Sequence, residues 1–296
     1  MEIAITGSHG LIGSALIPSL TADGHQVRRI VRSSGRGDDI GWDIEGGTMD
    51  AAGLEGIDAV VHLAGEGIGD KRWTAGYKRR VLESRTRSTT LLAETLAGLS
   101  APPAVVVSGS AVGYYGDRAD EVLTEASAPG TIFLSQVCTA WEAATAAAEQ
   151  AGIRVAHIRT GPVLAANGGL LTPIRRLFRF GLGGRLGDGR QWLAWISLAD
   201  EVGAIRFLID HEVAGPVNLT APAPVTNREF TAVLGRVLHR PTFMAVPKVA
   251  PRLLLGRERA DQLLFVSQRA LPTILEREGF EFQHPELEPT LRALLT

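Results

Sequence analysis

The stretch Met1-Glu2-Ile3-Ala4-Ile5-Thr6-Gly7-Ser8-His9-Gly10-Leu11-Ile12-Gly13 decides the fold. Its apolar, β-branched opening predicts a strand over Ile3–Thr6. Leu11, Ile12, Ala15, Leu16 and Leu20 then recur at helical spacing, with Pro18 as an internal kink and Ala22-Asp23-Gly24-His25 ending the helix. Between the two, Gly7, Gly10 and Gly13 stand at G-x-x-G-x-x-G spacing. Glycines placed there permit the tight turn, a close approach of backbone to pyrophosphate, and packing of helix on strand. In a chain of 34 glycines a triplet alone carries little. Its place between a strand and an amphipathic helix is what points to dinucleotide binding.

Working outward, compact apolar runs at Val27–Val31, Ala59–Leu63, Ala104–Ser108 and Val155–Arg159 alternate with longer stretches of helical period. That alternation predicts a doubly wound α/β fold, a parallel sheet covered on both faces. An eight-fold βα barrel needs a more even repeat than the chain keeps beyond residue 165. After residue 163 the texture changes. Phe180–Arg190 holds five glycines in eleven residues and reads as a loop, Trp195–Asp200 leads into a helix around 201–210, and Val217–Leu219 reads as a further strand. Thr226 stands three residues before Glu229, the spacing of a capping box. The last eighty or so residues read as a smaller α/β unit, of the kind that selects substrate.

Composition narrows the partners. The 296 residues are about two domains' worth, and 45% are hydrophobic, enough for large cores. Thirty Lys and Arg against thirty-two Asp and Glu give a net charge of −2, so no global field holds the chain on nucleic acid or an anionic membrane. No apolar run approaches the roughly 18 residues of a membrane span, and the chain enters a strand without a signal core, so a cytoplasmic protein is expected. Cys138 is the only cysteine, which excludes an internal disulfide and a cysteine-rich zinc site. It reads as a small buried hydrophobe, His62 as a hydrogen-bonded core histidine, and no metal site is expected.

About twenty residues past the glycine turn, an NAD site carries an acid for the ribose 2′-hydroxyl. Here Arg32 holds that place, with Ser33 and Arg36 as further donors. A guanidinium pairs with a 2′-phosphate instead, which favours NADP over NAD. The alternative is a solvated arginine on an edge that Arg28 and Arg29 already make basic.

The residues Thr6–Gly13, Leu63-Ala64-Gly65 and Ser108-Gly109-Ser110-Ala111-Val112-Gly113-Tyr114-Tyr115-Gly116 together resemble an extended short-chain dehydrogenase/reductase. Leu63–Glu66, Lys71–Thr74, Ser84-Arg85, Trp141-Glu142, Gly181–Gly184, Gly189–Trp192 and Pro222–Val225 narrow the resemblance to the epimerase family that ends in a domain of unknown function, across nearly the whole chain. The resemblance implies a Rossmann domain over residues 1–163 and 190–220, with a substrate-capping C-terminal domain over 164–189 and 221–296. It further implies NADP(H) or NAD(H) as cofactor and an oxidoreductase with no settled substrate. By similarity, Gly7, Gly10, Leu11, Ile12 and Gly13 match the pyrophosphate turn, and Arg32 and Ser33 the adenosine-phosphate position. Leu63, Ala64 and Gly65 match the segment along the ribose. Arg85 matches the helix facing the cofactor, Ser108 the strand end beside it, and Pro162-Val163 the turn near the carboxamide.

The catalytic pattern of that wider family breaks here. Its Tyr and Lys, four residues apart on one helix, fall on Leu134 and Cys138, or one residue earlier on Phe133 and Val137. Neither register offers a phenol or an ammonium. Ser110 matches the family's substrate-binding serine and, with Tyr115, is the expected catalytic pair. Tyr114, Glu66 and Lys71 are further candidates for the missing acid or base. Each has a plainer role, as a tyrosine packed under a turn or a solvated loop side chain. The arginines 175, 176, 179, 185 and 190 either receive an anionic substrate or solvate the glycine-rich loop, with Trp192 and Trp195 beside it. Two functions follow. One is an NADP-dependent oxidoreductase or epimerase acting on a small molecule. The other is a cofactor-binding regulator that has lost its proton-transfer pair. The alanine run 143–148 packs either on a second subunit or on its own sheet, which leaves monomer and homodimer open.

Overall fold

The computed structural model describes residues 1–32 and 37–295. Its main sheet is built from β1 (Glu2–Thr6), β2 (Gln26–Val31), β3 (Ile40–Asp43), β4 (Thr48–Met49), β5 (Ala59–His62), β6 (Val105–Ala111), β7 (Arg154–Thr160) and β8 (Gly215–Leu219), in the order β8-β7-β6-β5-β1-β2-β3-β4. β1 runs parallel to β2 and β5, β2 to β3, and β5 to β6. The strands expected from apolar runs are all present. β4 departs from this parallel run and pairs antiparallel with β3. Only the four residues 44–47 join these strands, too few for a crossover, so the chain turns back on itself. Strand order reverses at β1, with β5 on one side and β2 on the other. The carboxyl ends there open the crevice where α/β sheets receive ligands.

Ile3, Ala4 and Ile5 are all wholly buried, so both faces of the sheet are covered. On one face Ala4, Val60 and Val106 pack with Leu92, Ala93 and Leu96 of α2 (Ala75–Ala97). Helix α1 (Leu11–Ala22) follows the glycine turn and carries Pro18 inside it. The alanine run is not one helix: α3 (Phe133–Ala143) ends there and α4 (Ala146–Gln150) begins anew, with Ala148 buried against Ile153 and Val155 of its own domain.

The chain divides into two compact units. One comprises Met1–Ser110, Val137–Ile158 and Val202–Val217, the other Ala111–Gln136, Arg159–Glu201 and Asn218–Thr296. The boundary differs from the expected one because residues 111–136 are tied to the C-terminal part: Val122-Leu123 pairs in parallel with Arg269-Ala270, and Arg118 N–H donates to the Ser267 carbonyl at 3.0 Å. This second unit has its own core of Leu164, Leu171, Phe178, Trp195, Phe230, Leu234, Leu287 and Leu291. Leu171 and Phe178 of that core come from α5 (Leu171–Arg179), a helix that the sequence reading did not place, directly before the glycine-rich stretch. Helices α6 (Leu198–Asp210) and α7 (Asn227–Val237) fall where expected, and Thr226 with Glu229 forms the capping box. Among the described residues no helix is long and apolar enough to cross a membrane.

Candidate functional site

The site is built where β1 and β5 end. Gly7 has φ +67°, and a side chain there would bring its Cβ within 2.8 Å of the Leu63 carbonyl carbon. At Gly13 a Cβ would run into the Gly7 carbonyl oxygen. Gly10 N–H donates back to Gly7 O at 2.9 Å, closing the turn, and Gly10 becomes the N-cap of α1 without a side chain. The first turn of α1 holds no acid, and the N–H groups that a helix start leaves without intrahelical partners lie with the positive end of the helix dipole at the glycine turn. These features fit a pyrophosphate: any Cβ would fill the cradle, and a capping side chain would use up its donors.

The Thr6 hydroxyl joins the two strand ends. It accepts from the Leu63 and Ala64 N–H groups at 3.0 and 3.1 Å, which leaves its proton for His62 Nδ1 at 2.8 Å. His62 is then protonated on Nε2, which donates to Thr89 Oγ1 at 2.9 Å. Burial pushes this imidazole down to about 4, so it stays neutral and belongs to the core. Leu63 and Ala64 are half-buried and Gly65 is exposed. A Cβ on Gly65 would lie 3.1 Å from the guanidinium carbon of Arg85. Arg85 is held by Nη1 donating to the carbonyls of Glu66 (2.9 Å) and Val81 (3.0 Å), and its guanidinium lies 4.9 Å from the centre of the Trp141 ring.

Arg32 follows the end of β2 and is exposed, and no hydrogen bond or ion pair among the described residues uses it. Arg28, by contrast, is committed to the carbonyls of Asp38 and Gly53. Ser33 and Arg36 lie outside the described residues. Midway along β6, Ser108 is buried and its hydroxyl has no hydrogen-bond partner among the described residues, while Ser110 Oγ, near the strand's end, donates to Glu142 Oε1 at 2.6 Å. The same unit therefore brings Gly7, Gly10, Leu11, Ile12, Gly13, Arg32, Leu63, Ala64, Gly65, Arg85, Ser108 and Ser110 to the carboxyl ends of adjacent strands or the elements beside them.

Tyr115, Pro162 and Val163 belong to the other unit. Tyr115 is wholly buried. Its hydroxyl donates to Asn218 Oδ1 at 2.6 Å and accepts from Arg159 Nη1 at 3.1 Å. Burial raises this phenol to about 12, against the pull of Arg159. Val163 pairs with Ile196, and the Pro162 carbonyl accepts from Ile196 N–H. On α3, Leu134 and Cys138 are buried. Glu142, one turn beyond Cys138 on the same helix stripe, entered the sequence reading only within the Trp141-Glu142 pair that carries the resemblance. The signal that it reaches Ser110 was its i+4 spacing from the vacant lysine place.

The profile of the NAD dependent epimerase/dehydratase family matches residues 3–220, and that of a domain of unknown function (DUF1731) matches residues 246–294. The chain is 48% identical to the epimerase family protein Mb2239 of Mycobacterium bovis over 284 residues, 95% of this chain and 93% of the relative. The crystal structure of human epimerase family protein SDR39U1 (isoform 2) with NADPH superposes with a TM-score of 0.91 at 33% identity, covering 99% of both chains. A nucleoside-diphosphate sugar epimerase from Corynebacterium glutamicum, 36% identical, gives 0.81 over all of this chain and 58% of that one. Glycine turn, strand order and terminal domain thus agree with the sequence resemblance, and this chain belongs to the NAD dependent epimerase/dehydratase family.

Proposed function

We propose that the protein binds NADP(H) in preference to NAD(H) and works as an oxidoreductase or epimerase on a small molecule. The observation that carries this reading is the side-chain-free cradle of Gly7, Gly10 and Gly13 against Leu63, at the point where strand order reverses. The N–H groups of Leu11, Ile12 and Gly13 bind the pyrophosphate. Arg32 pairs with the 2′-phosphate, and the human relative described with NADPH supports that choice. Leu63, Ala64 and Gly65 line the ribose, with Arg85 beneath Gly65 as the nearby cation. Bound there, the nicotinamide supplies or takes up a hydride. Ser110 holds the substrate's hydroxyl or carbonyl oxygen at the end of β6. Tyr115, with both hydroxyl contacts taken up inside a core, serves packing.

Burial of Leu134 and Cys138 where a phenol and an ammonium would stand favours a second reading, a regulator that binds the cofactor without turning it over. Calorimetric titration with NADPH and NADH, run beside loss of NADPH absorbance over a panel of carbonyl compounds, separates the two. Tight NADPH binding with turnover of at least one compound is expected. Binding without any turnover selects the regulator, and absence of binding refutes both.

A further inference from the structure

We propose that Glu142 is the positioning and proton-accepting partner of Ser110, doing through that hydroxyl the work that a tyrosine–lysine pair does elsewhere in the family. This rests on the oxidoreductase reading above. The Ser110–Glu142 separation of 2.6 Å lies in the short range of a hydroxyl donating to a carboxylate. The contact is built deliberately by its surroundings. A Cβ on Gly109 would lie 2.6 Å from Trp141 Cζ2, so only glycine lets the Trp141 ring lie against the end of β6 and bring the last turn of α3 to Ser110. The Arg85 guanidinium lies over that same ring, so the cation enters from α2 while the carboxylate enters from α3. Ser110 is nearly buried and Glu142 half-buried, so a proton delivered to the serine has a defined exit.

In the oxidative direction the substrate's carbinol C–H bond breaks, and its electron pair leaves as hydride to the oxidised pyridine dinucleotide. The substrate's O–H proton passes to Ser110 Oγ as the serine's own proton passes to Glu142 Oε1. A carbonyl product, a reduced dinucleotide and a neutral carboxyl result, and the reverse reaction returns the proton along the same path.

The test uses the full-length protein with E142Q, E142D and S110A, each checked for folding by thermal melting. Phenanthrenequinone and nitrobenzaldehyde serve as hydride acceptors. NADPH affinity by calorimetry should be unchanged in all three. For E142Q, kcat should fall about 100-fold with little change in KM, and the pH limb of the parent profile should disappear. E142D should recover part of both. Independently of turnover, infrared spectra of cofactor-free protein carrying isotope-labelled glutamate should show one carboxylate stretch that moves in S110A and is absent in E142Q. Parental turnover and pH profile in E142Q overturn this proposal alone, as does a carboxylate band indifferent to S110A. A parent that binds NADPH and reduces neither probe overturns the proposal together with the enzymatic reading.

Discussion

Ser110 and Tyr115 are five residues apart and both present a hydroxyl, yet the two regions treat that group in opposite ways. Ser110 closes a strand and gives its proton to a half-buried carboxylate that can take it. Tyr115 sits in a saturated core. Arg159 and Asn218 hold its oxygen, Arg159 also donates to the Glu125 carbonyl, and the Asn218 and Ile274 N–H groups both donate to Glu125 Oε1. Burial lifts the phenol to about 12, out of reach of neutral-pH proton transfer. Residue type nominated both; the exchangeability of the partner's proton separates them.

The largest test of this contrast is Ser110→Ala. Turnover of whichever carbonyl probe the parent reduces should drop about a thousandfold, some 4 kcal/mol of barrier, with the melting temperature hardly moved. A large loss of stability with turnover intact would erase the distinction. Next comes the unit that holds Tyr115, where Glu201 is wholly buried, accepts from Thr160 Oγ1 at 2.8 Å, and leaves Oε2 without a hydrogen-bond partner among the described residues. Burial raises its carboxyl from 4.5 to about 8, so between those values the folded chain holds a proton that the unfolded chain has released. Native stability therefore falls as pH rises through that window. Glu201→Gln should remove the slope, gaining on the parent by about 3 kcal/mol between roughly pH 5 and pH 8 in denaturant unfolding.

Tyr115→Phe should lower unfolding free energy by about 2 kcal/mol, because Asn218 Oδ1 loses its donor inside the core. Its effect on turnover should be far smaller than that of Ser110→Ala. The smallest expected effect lies at the strand-end site itself. Arg32→Glu should weaken NADPH by about tenfold in calorimetry, roughly 1.4 kcal/mol, with NADH affected much less. Equal loss for both coenzymes would remove Arg32 from the phosphate.

Much of the fold was legible because its signals are local. β1, the glycine turn and α1 are adjacent in sequence, the sheet strands are continuous apolar runs, and the Thr226–Glu229 box spans three residues. Helix α5 was obscured by the arginines and glycines around it, although Leu171, Ile174 and Phe178 keep helical spacing and pack in the second core. Two-residue bridges such as Val122-Leu123 with Arg269-Ala270 have no period to read, and they are what shift the boundary between units. The residues expected at the cofactor were read from motif and strand ends. Glu142 did not, because its meeting with Ser110 joins residues 32 apart and depends on a glycine making room for tryptophan.

The Thr6 oxygen ties two loops together. By fastening the amides of Leu63 and Ala64 to the end of β1, it makes the two loops a single bracket before any guest arrives. Disorder that two independent loops would lose on association is already gone once the chain has folded, so a dinucleotide meets a mould rather than shaping one. Thr6→Val, which keeps the size but not the oxygen, would loosen the mould without touching the guest.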